Sequence, residues 1–180
     1  MSFYEGQVDV LIDEQRLAAR IRELGEQLTQ DYRGKDLTIV SVLKGSVFFA
    51  TALVRHVSLP LTMEFLGVSS YEAMETTGEV RITSDVTKPM AGKDLLIVED
   101  IIDTGLTMKF IVENLQARHP ASVKVCALLE KPSRARTKIQ IDYRGFVIED
   151  VFVVGFGLDY CEKYRNLPFI GALRAASAET

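Results

Sequence analysis

Apolar positions along this chain alternate between two patterns, a helical spacing near 3.6 residues and short unbroken runs. Leu17, Ile21, Leu24 and Leu28 form one stripe, which predicts a helix capped by Asp13 and running to about Tyr32. Arg33-Gly34-Lys35-Asp36 ends it. Residues 37–43 are continuously apolar apart from Thr38 and Ser41, and read as a short buried strand closed by Lys44-Gly45. Ser46 starts a second helix to His56, and residues 61–68 read as another strand. The stretch 69–84 is polar and carries Gly78, which predicts a long hairpin-like excursion or a mobile loop.

The centre of the chain repeats the pattern more clearly. Gly92-Lys93-Asp94 introduces the apolar run Leu95-Leu96-Ile97-Val98. A helix to Arg118 follows, with Met108, Ile111, Val112 and Leu115 inward, until His119-Pro120 stops it. Residues 123–129 and 151–155 supply two further strands. Strands that are apolar on both faces, alternating with helices, predict an α/β fold with a mostly parallel central sheet flanked by helices. No repeat, low-complexity tract or linker interrupts the chain, so residues 1–180 read as a single domain. Ligands of such sheets bind beyond the C-terminal strand ends, at a topological switch point. Functional residues are therefore expected just after Val42, Val98, Leu129 and Val154.

Composition narrows the function classes. Of the 180 residues, 47% are hydrophobic and 26% charged, ordinary values for a globular protein. No apolar stretch approaches the ~20 residues of a membrane span. The N-terminus lacks the basic start and apolar core of a secretory signal. Cys126 and Cys161 make neither a disulfide framework nor a metal cluster, so two free thiols and a cytoplasmic location are expected. The net charge of −4 argues against nucleic acid as a partner. An anionic substrate would need local devices: backbone N–H groups, a metal, or a few placed cations.

The residues from Val98 to Thr107 combine such devices. Carboxylates at Glu99, Asp100 and Asp103 crowd one strand end, followed by Thr104-Gly105-Leu106-Thr107 at a helix start. Small and hydroxyl residues there leave backbone N–H groups for a phosphate, assisted by the helix dipole. Crowded acids repel each other, and that cost points to sugar hydroxyls, Mg²⁺ or a proton as the group they serve.

The run Val98-Glu99-Asp100-Ile101-Ile102-Asp103-Thr104-Gly105-Leu106-Thr107 resembles the phosphoribosyl-pyrophosphate-binding signature of hypoxanthine phosphoribosyltransferases, members of the type I phosphoribosyltransferase family. Further similar segments follow in that family's order: Leu43-Lys44-Gly45, Ser69-Ser70-Tyr71-Glu72, Lys131-Pro132-Ser133-Arg134, and the block from Phe152 to Pro168. The resemblance covers roughly residues 5 to 171; Ala172 to Thr180 look idiosyncratic.

This resemblance implies a purine-salvage enzyme with a small hood and a mobile lid loop above the sheet. Glu99 and Asp100 would hold the ribose hydroxyls, although neighbouring strand residues point to opposite faces, so the chain is expected to turn there. Asp103 would be the general base at purine N7. Thr104, Gly105, Leu106 and Thr107 would take the 5-phosphate. Lys44, Gly45 and Arg165 would contact pyrophosphate, with an unusual cis peptide at the Lys44 loop. Lys131 would donate to the purine O6, Phe152 would stack on the base, and Val153 and Asp159 would complete the purine site. Plain core packing is expected to account for most of the buried area of Phe152 and Val153. Asp159, Glu99 and Asp100 would bind Mg²⁺, and Ser70 and Tyr71 would belong to the lid. Substrates would be phosphoribosyl pyrophosphate and a 6-oxopurine, and the assembly a homodimer or homotetramer. His56 and His119 read as structural.

Two other classes share pieces of this pattern. Asp103-Thr104-Gly105 after two isoleucines is similar to an aspartic protease triplet, but a helix follows it and Glu99-Asp100 would have no part in that chemistry. RNA-binding regulators of pyrimidine operons share the phosphate loop, but the acidic balance and the Lys131 and Phe152–Asp159 segments favour a purine enzyme. The residues leave hypoxanthine, guanine and xanthine open.

Overall fold

The structure is a computed structural model, and it describes residues 8–70 and 80–174. In chain order its first half holds strand β1 (Val8–Ile12), helix α1 (Glu14–Asp31), strand β2 (Leu37–Leu43), helix α2 (Ser46–Val54), and strands β3 (Thr62–Ser70) and β4 (Val80–Ser84). Strand β5 (Asp94–Ile102), helix α3 (Leu106–Gln116), and strands β6 (Ser122–Glu130), β7 (Tyr143–Val147), β8 (Val153–Val154) and β9 (Ile170–Leu173) follow. Asp13 caps α1 by accepting the Arg16 N–H at 2.8 Å.

Six strands form the main sheet in the order β4-β3-β2-β5-β6-β7. The five from β3 to β7 are parallel, and β4 is an antiparallel edge strand on β3. Successive residues of β5 explain why the run is apolar on both faces. Leu96 and Val98 pack with Leu24 of α1 and with Phe49 and Leu53 of α2. Leu95 and Ile97 pack with Met108, Ile111 and Leu115 of α3. Leu96 has no exposed surface. Leu96→Ala is expected to cost about 2–5 kcal/mol, transfer plus cavity, read as a lower midpoint in chemical denaturation.

The chain leaves β2 in one direction to form β3, then returns to place β5 on the other flank of β2. The switch point therefore lies between β2 and β5, and a crevice is expected above their C-terminal ends.

The structure corrects three expectations. Residues 151–155 do not form a strand of the parallel sheet. Only Val153–Val154 is a strand, antiparallel to β9, in a separate sheet of order β1-β9-β8. Ala172 and Leu173 are not an irregular tail: they pair with Asp9 and Val8 of β1. This small sheet joins the two ends of the chain, a pairing that no local periodicity encodes. Strand β7 also escaped the pattern, because Arg144 and Gly145 interrupt its apolar run; an added Cβ on Gly145 would lie 2.3 Å from the Leu128 carbonyl oxygen.

Candidate active site

Strands β2 and β5 stay paired only to Ser41 opposite Val98, whereas β5 continues beside β6 to Ile102 opposite Glu130. Residues 99–102 thus have no β2 neighbour, and the space opens into a cavity of about 240 Å³. Glu99, Asp100, Asp103, Thr104, Gly105 and Thr107 all line it. The strand runs on to Ile102 rather than turning after Val98. Glu99 and Asp100 still share one cavity because the partner strand has gone.

Burial pushes the Glu99 carboxyl well above the usual carboxylate range, and the neighbouring Asp100 charge pushes it further. Burial also raises Asp100, against the hydrogen bonds it accepts and the pull of Arg165. The two are linked through the Asp100 N–H, which donates to Glu99 Oε1 at 3.3 Å. Among the described residues no group of three or more His, Cys, Asp or Glu side chains is set to hold a metal.

Helix α3 starts at this cavity. Gly105 has φ 79° at its N-cap and offers no side-chain cap; among the described residues of that turn only the Leu106 N–H has a side-chain acceptor, Thr104 Oγ1 at a long 3.5 Å. The backbone donors of the first turn and the positive end of the helix are thereby left for an anion. Leu106, the first helical residue, is 40% exposed and does not line the cavity.

The loop after β2 closes the other side. The Leu43-Lys44 peptide is cis, as the resemblance implied. Ser46 anchors this turn: its Oγ donates to the Val42 carbonyl at 2.5 Å, so Ser41 Oγ supplies the proton in their 2.7 Å contact. Gly45 lies flat against Asp100, where a Cβ would fall 1.7 Å from Oδ2. Lys44 is exposed and paired with Glu162 at 3.0 Å. That contact ties the loop to the segment carrying Asp159 and Arg165.

A second cavity of about 490 Å³ shares Asp100, Ile101 and Asp103 as a common wall. Lys131, Phe152, Val153 and Asp159 line it, so every residue expected at the purine lies in one place. Lys131 is only 7% exposed, rare for a lysine. Its nearest carboxylate is Asp150, at 3.8 Å. Phe152 corrects another expectation: it is 55% exposed rather than packed in the core, with its ring edge-on to Tyr160 at 5.6 Å. Val153 is buried, as β8 requires.

Asp159 and Arg165 are bonded to each other at 2.7 Å. Asp159 also accepts the Glu162 N–H at 2.9 Å, and Arg165 donates to the Gly157 carbonyl at 2.7 Å. Of the lid residues, Ser70 ends β3, and Tyr71 lies outside the described residues. His56 and His119 contact neither cavity named above. Sequence reasoning assigned no role to Arg134, Asp150 or Glu162. The spacing of two cations, Lys131 and Arg134, three apart could have singled out Arg134, but nothing local marks Asp150.

No helix among the described residues is long and apolar enough to cross a membrane. The profile of the phosphoribosyl transferase domain matches residues 7–161. The hypoxanthine-guanine phosphoribosyltransferase of Mycobacterium tuberculosis is 46% identical over 178 residues, covering 94% of this chain and 88% of its own. Its Bacillus subtilis counterpart is 44% identical over 172 residues, covering 95% and 96%. The crystal structure of a Staphylococcus aureus hypoxanthine phosphoribosyltransferase superposes with a TM-score of 0.92 at 45% identity, covering 96% of this chain and 95% of the other.

Proposed function

The chain belongs to the phosphoribosyl transferase domain family, among the hypoxanthine-guanine phosphoribosyltransferases, and from that premise we propose its reaction and the residues that carry it. The enzyme transfers 5-phosphoribosyl from phosphoribosyl pyrophosphate to N9 of hypoxanthine or guanine in purine salvage, releasing IMP or GMP and pyrophosphate. We assign it to the cytoplasm and to a homodimer or homotetramer, as the resemblance implies.

One observation carries the purine assignment. The buried Lys131 lines a cavity wall together with Asp103 and the half-exposed Phe152. A flat base fits against the phenyl face, with its O6 accepting from the ammonium and its N7 proton toward Asp103. The backbone from Thr104 to Thr107 holds the 5-phosphate at the uncapped end of α3. Glu99 and Asp100 hold the ribose hydroxyls. As the bond from C1 of the ribose to pyrophosphate breaks, the leaving oxygen keeps the electron pair. N9 forms the new bond to C1, and Asp103 takes the N7 proton. Lys44, Gly45 and Arg165 face the departing pyrophosphate.

The donor set fits a Mg²⁺ shared with a polyphosphate. That ion takes one or two carboxylates and keeps its other positions for water and phosphate oxygens. Glu99 and Asp100 are adjacent, and burial penalises their charge, a penalty that a nearby dication offsets. Asp159 joins them if Arg165 releases it. When bound, Mg²⁺ supplies positive charge that stabilises the leaving pyrophosphate.

The test is base selectivity. Purified protein with Mg²⁺ and phosphoribosyl pyrophosphate is offered hypoxanthine, guanine, xanthine, adenine or uracil, and nucleotide formation is followed. Hypoxanthine and guanine turn over, and adenine lags by about 10²-fold or more because its 6-amino group presents a donor to Lys131. Lys131→Met erases most of that preference. Turnover of uracil alone, or RNA binding without turnover, overturns the purine assignment.

A further inference from the structure

We propose that Arg134 and Asp150, neither of which has a role in the reaction described above, are positioning residues that hold the base and the O6 donor at the spacing one purine edge requires. The inference rests on the purine reading of the cavity.

Four charged groups alternate in sign around that cavity. Arg134 Nε donates to Asp103 Oδ1 at 3.1 Å. Arg134 Nη1 lies 3.8 Å from Asp150 Oδ2, and Asp150 Oδ1 lies 3.8 Å from Lys131 Nζ. The ends of this chain, Asp103 and Lys131, are the two side chains assigned to N7 and O6. Those atoms sit side by side on one edge of a 6-oxopurine. A carboxylate and an ammonium placed that close would neutralise each other directly. Among the described residues no ion pair joins them: Asp103 is held by Arg134 and Lys131 by Asp150. The interposed pair keeps the two groups apart, each facing its own atom of the base.

Local structure supports the arrangement. Lys131 flanks a single 3₁₀ turn, Pro132–Arg134, closed by the Arg134 N–H bond to the Lys131 carbonyl at 3.1 Å. Residues three apart stack on the same side of such a turn, which brings both cations to one wall. The planar guanidinium presents its donor edges in fixed directions, so Nε and Nη1 face the two carboxylates at a set spacing that an ammonium, a compact point charge, does not impose. With Oδ1 engaged by Arg134, Oδ2 is the oxygen of Asp103 that receives the N7 proton.

These contacts do not hold the fold together. The side chains of Asp103, Arg134 and Asp150 are 39%, 47% and 51% exposed, and ion pairs so exposed to water add little stability. Substitution should leave folding intact and act on kinetics.

Steady-state kinetics with hypoxanthine, Mg²⁺ and phosphoribosyl pyrophosphate separate the roles. Arg134→Gln is expected to lower kcat about tenfold or more, because the base loses its orientation, with KM for phosphoribosyl pyrophosphate and the melting temperature nearly unchanged. Arg134→Lys recovers only part of the loss. Asp150→Asn raises KM for the base about tenfold by freeing Lys131. The double variant Arg134→Gln/Asp150→Asn loses less than the product of the two effects, since both act through one chain of contacts. Wild-type turnover with Arg134→Gln within about threefold of it, or losses that multiply independently, overturns the inference alone. A wild-type protein that turns over no purine overturns the functional reading and this inference with it.

Discussion

Asp103→Asn is expected to lower kcat for IMP formation by about 10²–10⁴-fold, the usual contribution of a positioned general base. The replacement keeps the shape of the side chain, and its amide oxygen can still accept the Arg134 Nε–H that now reaches Oδ1 at 3.1 Å. What it removes is the ability to take a proton as N9 attacks. KM for phosphoribosyl pyrophosphate should change little. In the proposed reaction its 5-phosphate is held by backbone N–H groups at the start of α3, where the N-cap residue Gly105 offers no side-chain cap. The measurement is nucleotide formation at saturating hypoxanthine, with phosphoribosyl pyrophosphate varied separately. A loss under about threefold would remove Asp103 from the chemistry and reduce it to a wall residue of the two cavities.

A loss of both stability and activity is expected at Gly157. It has φ 103°, a conformation that side chains rarely adopt, and an added Cβ would lie 2.1 Å from the Gly45 carbonyl oxygen and 3.3 Å from Phe48 Cβ. Its own carbonyl accepts Arg165 Nη1 at 2.7 Å. Gly157 is therefore where the loop after β2 and the Asp159–Arg165 segment touch. Neither side can retreat easily, because Gly45 is already pressed against Asp100 Oδ2. Gly157→Ala should cost roughly 2–5 kcal/mol, backbone strain plus overlap, and abolish most activity. Gly34 provides the control: its φ is 77°, but nothing lies within 4 Å of an added Cβ. Gly34→Ala should cost only the strain, about 1–2 kcal/mol, and leave turnover intact. Thermal unfolding of the two variants compares them directly. Equal losses would mean that backbone strain alone, without the contact between the loops, makes these glycines necessary.

Several elements were legible because their cause is local. The stripe from Leu17 to Leu28 can bury only one helical face, and Asp13 satisfies an N–H that any helix start leaves open. The unbroken run before Glu99 predicted a strand covered on both sides, and Leu95 and Leu96 lie on opposite packed faces. The acids, threonines and glycine from Glu99 to Thr107 were expected to work together at a helix start, and all but Leu106 of the residues singled out there line one cavity. The alternating pattern also placed a crevice above the strand ends, where the cavity lies.

Other features depend on residues far apart in the chain. The small sheet joins Val8 to Leu173, a pairing whose loop closure only the finished fold can compensate. The exposure of Phe152 follows from β8 leaving the main sheet, which turns a residue that reads as core into a cavity wall. Glu99 and Asp100 share one cavity because β2 and β5 part at Ser41 and Val98, an event on two strands at once. The alternation of Asp103, Arg134, Asp150 and Lys131 arises where β5, the 3₁₀ turn and the segment before β8 converge. By itself the sequence determined the parallel α/β class and the cluster of acids and hydroxyls at the start of α3, since each is set by neighbours along the chain. Only the tertiary structure decided which charges meet, which ring faces the cavity and which glycines admit no side chain, because those depend on distances between segments that the chain order does not contain.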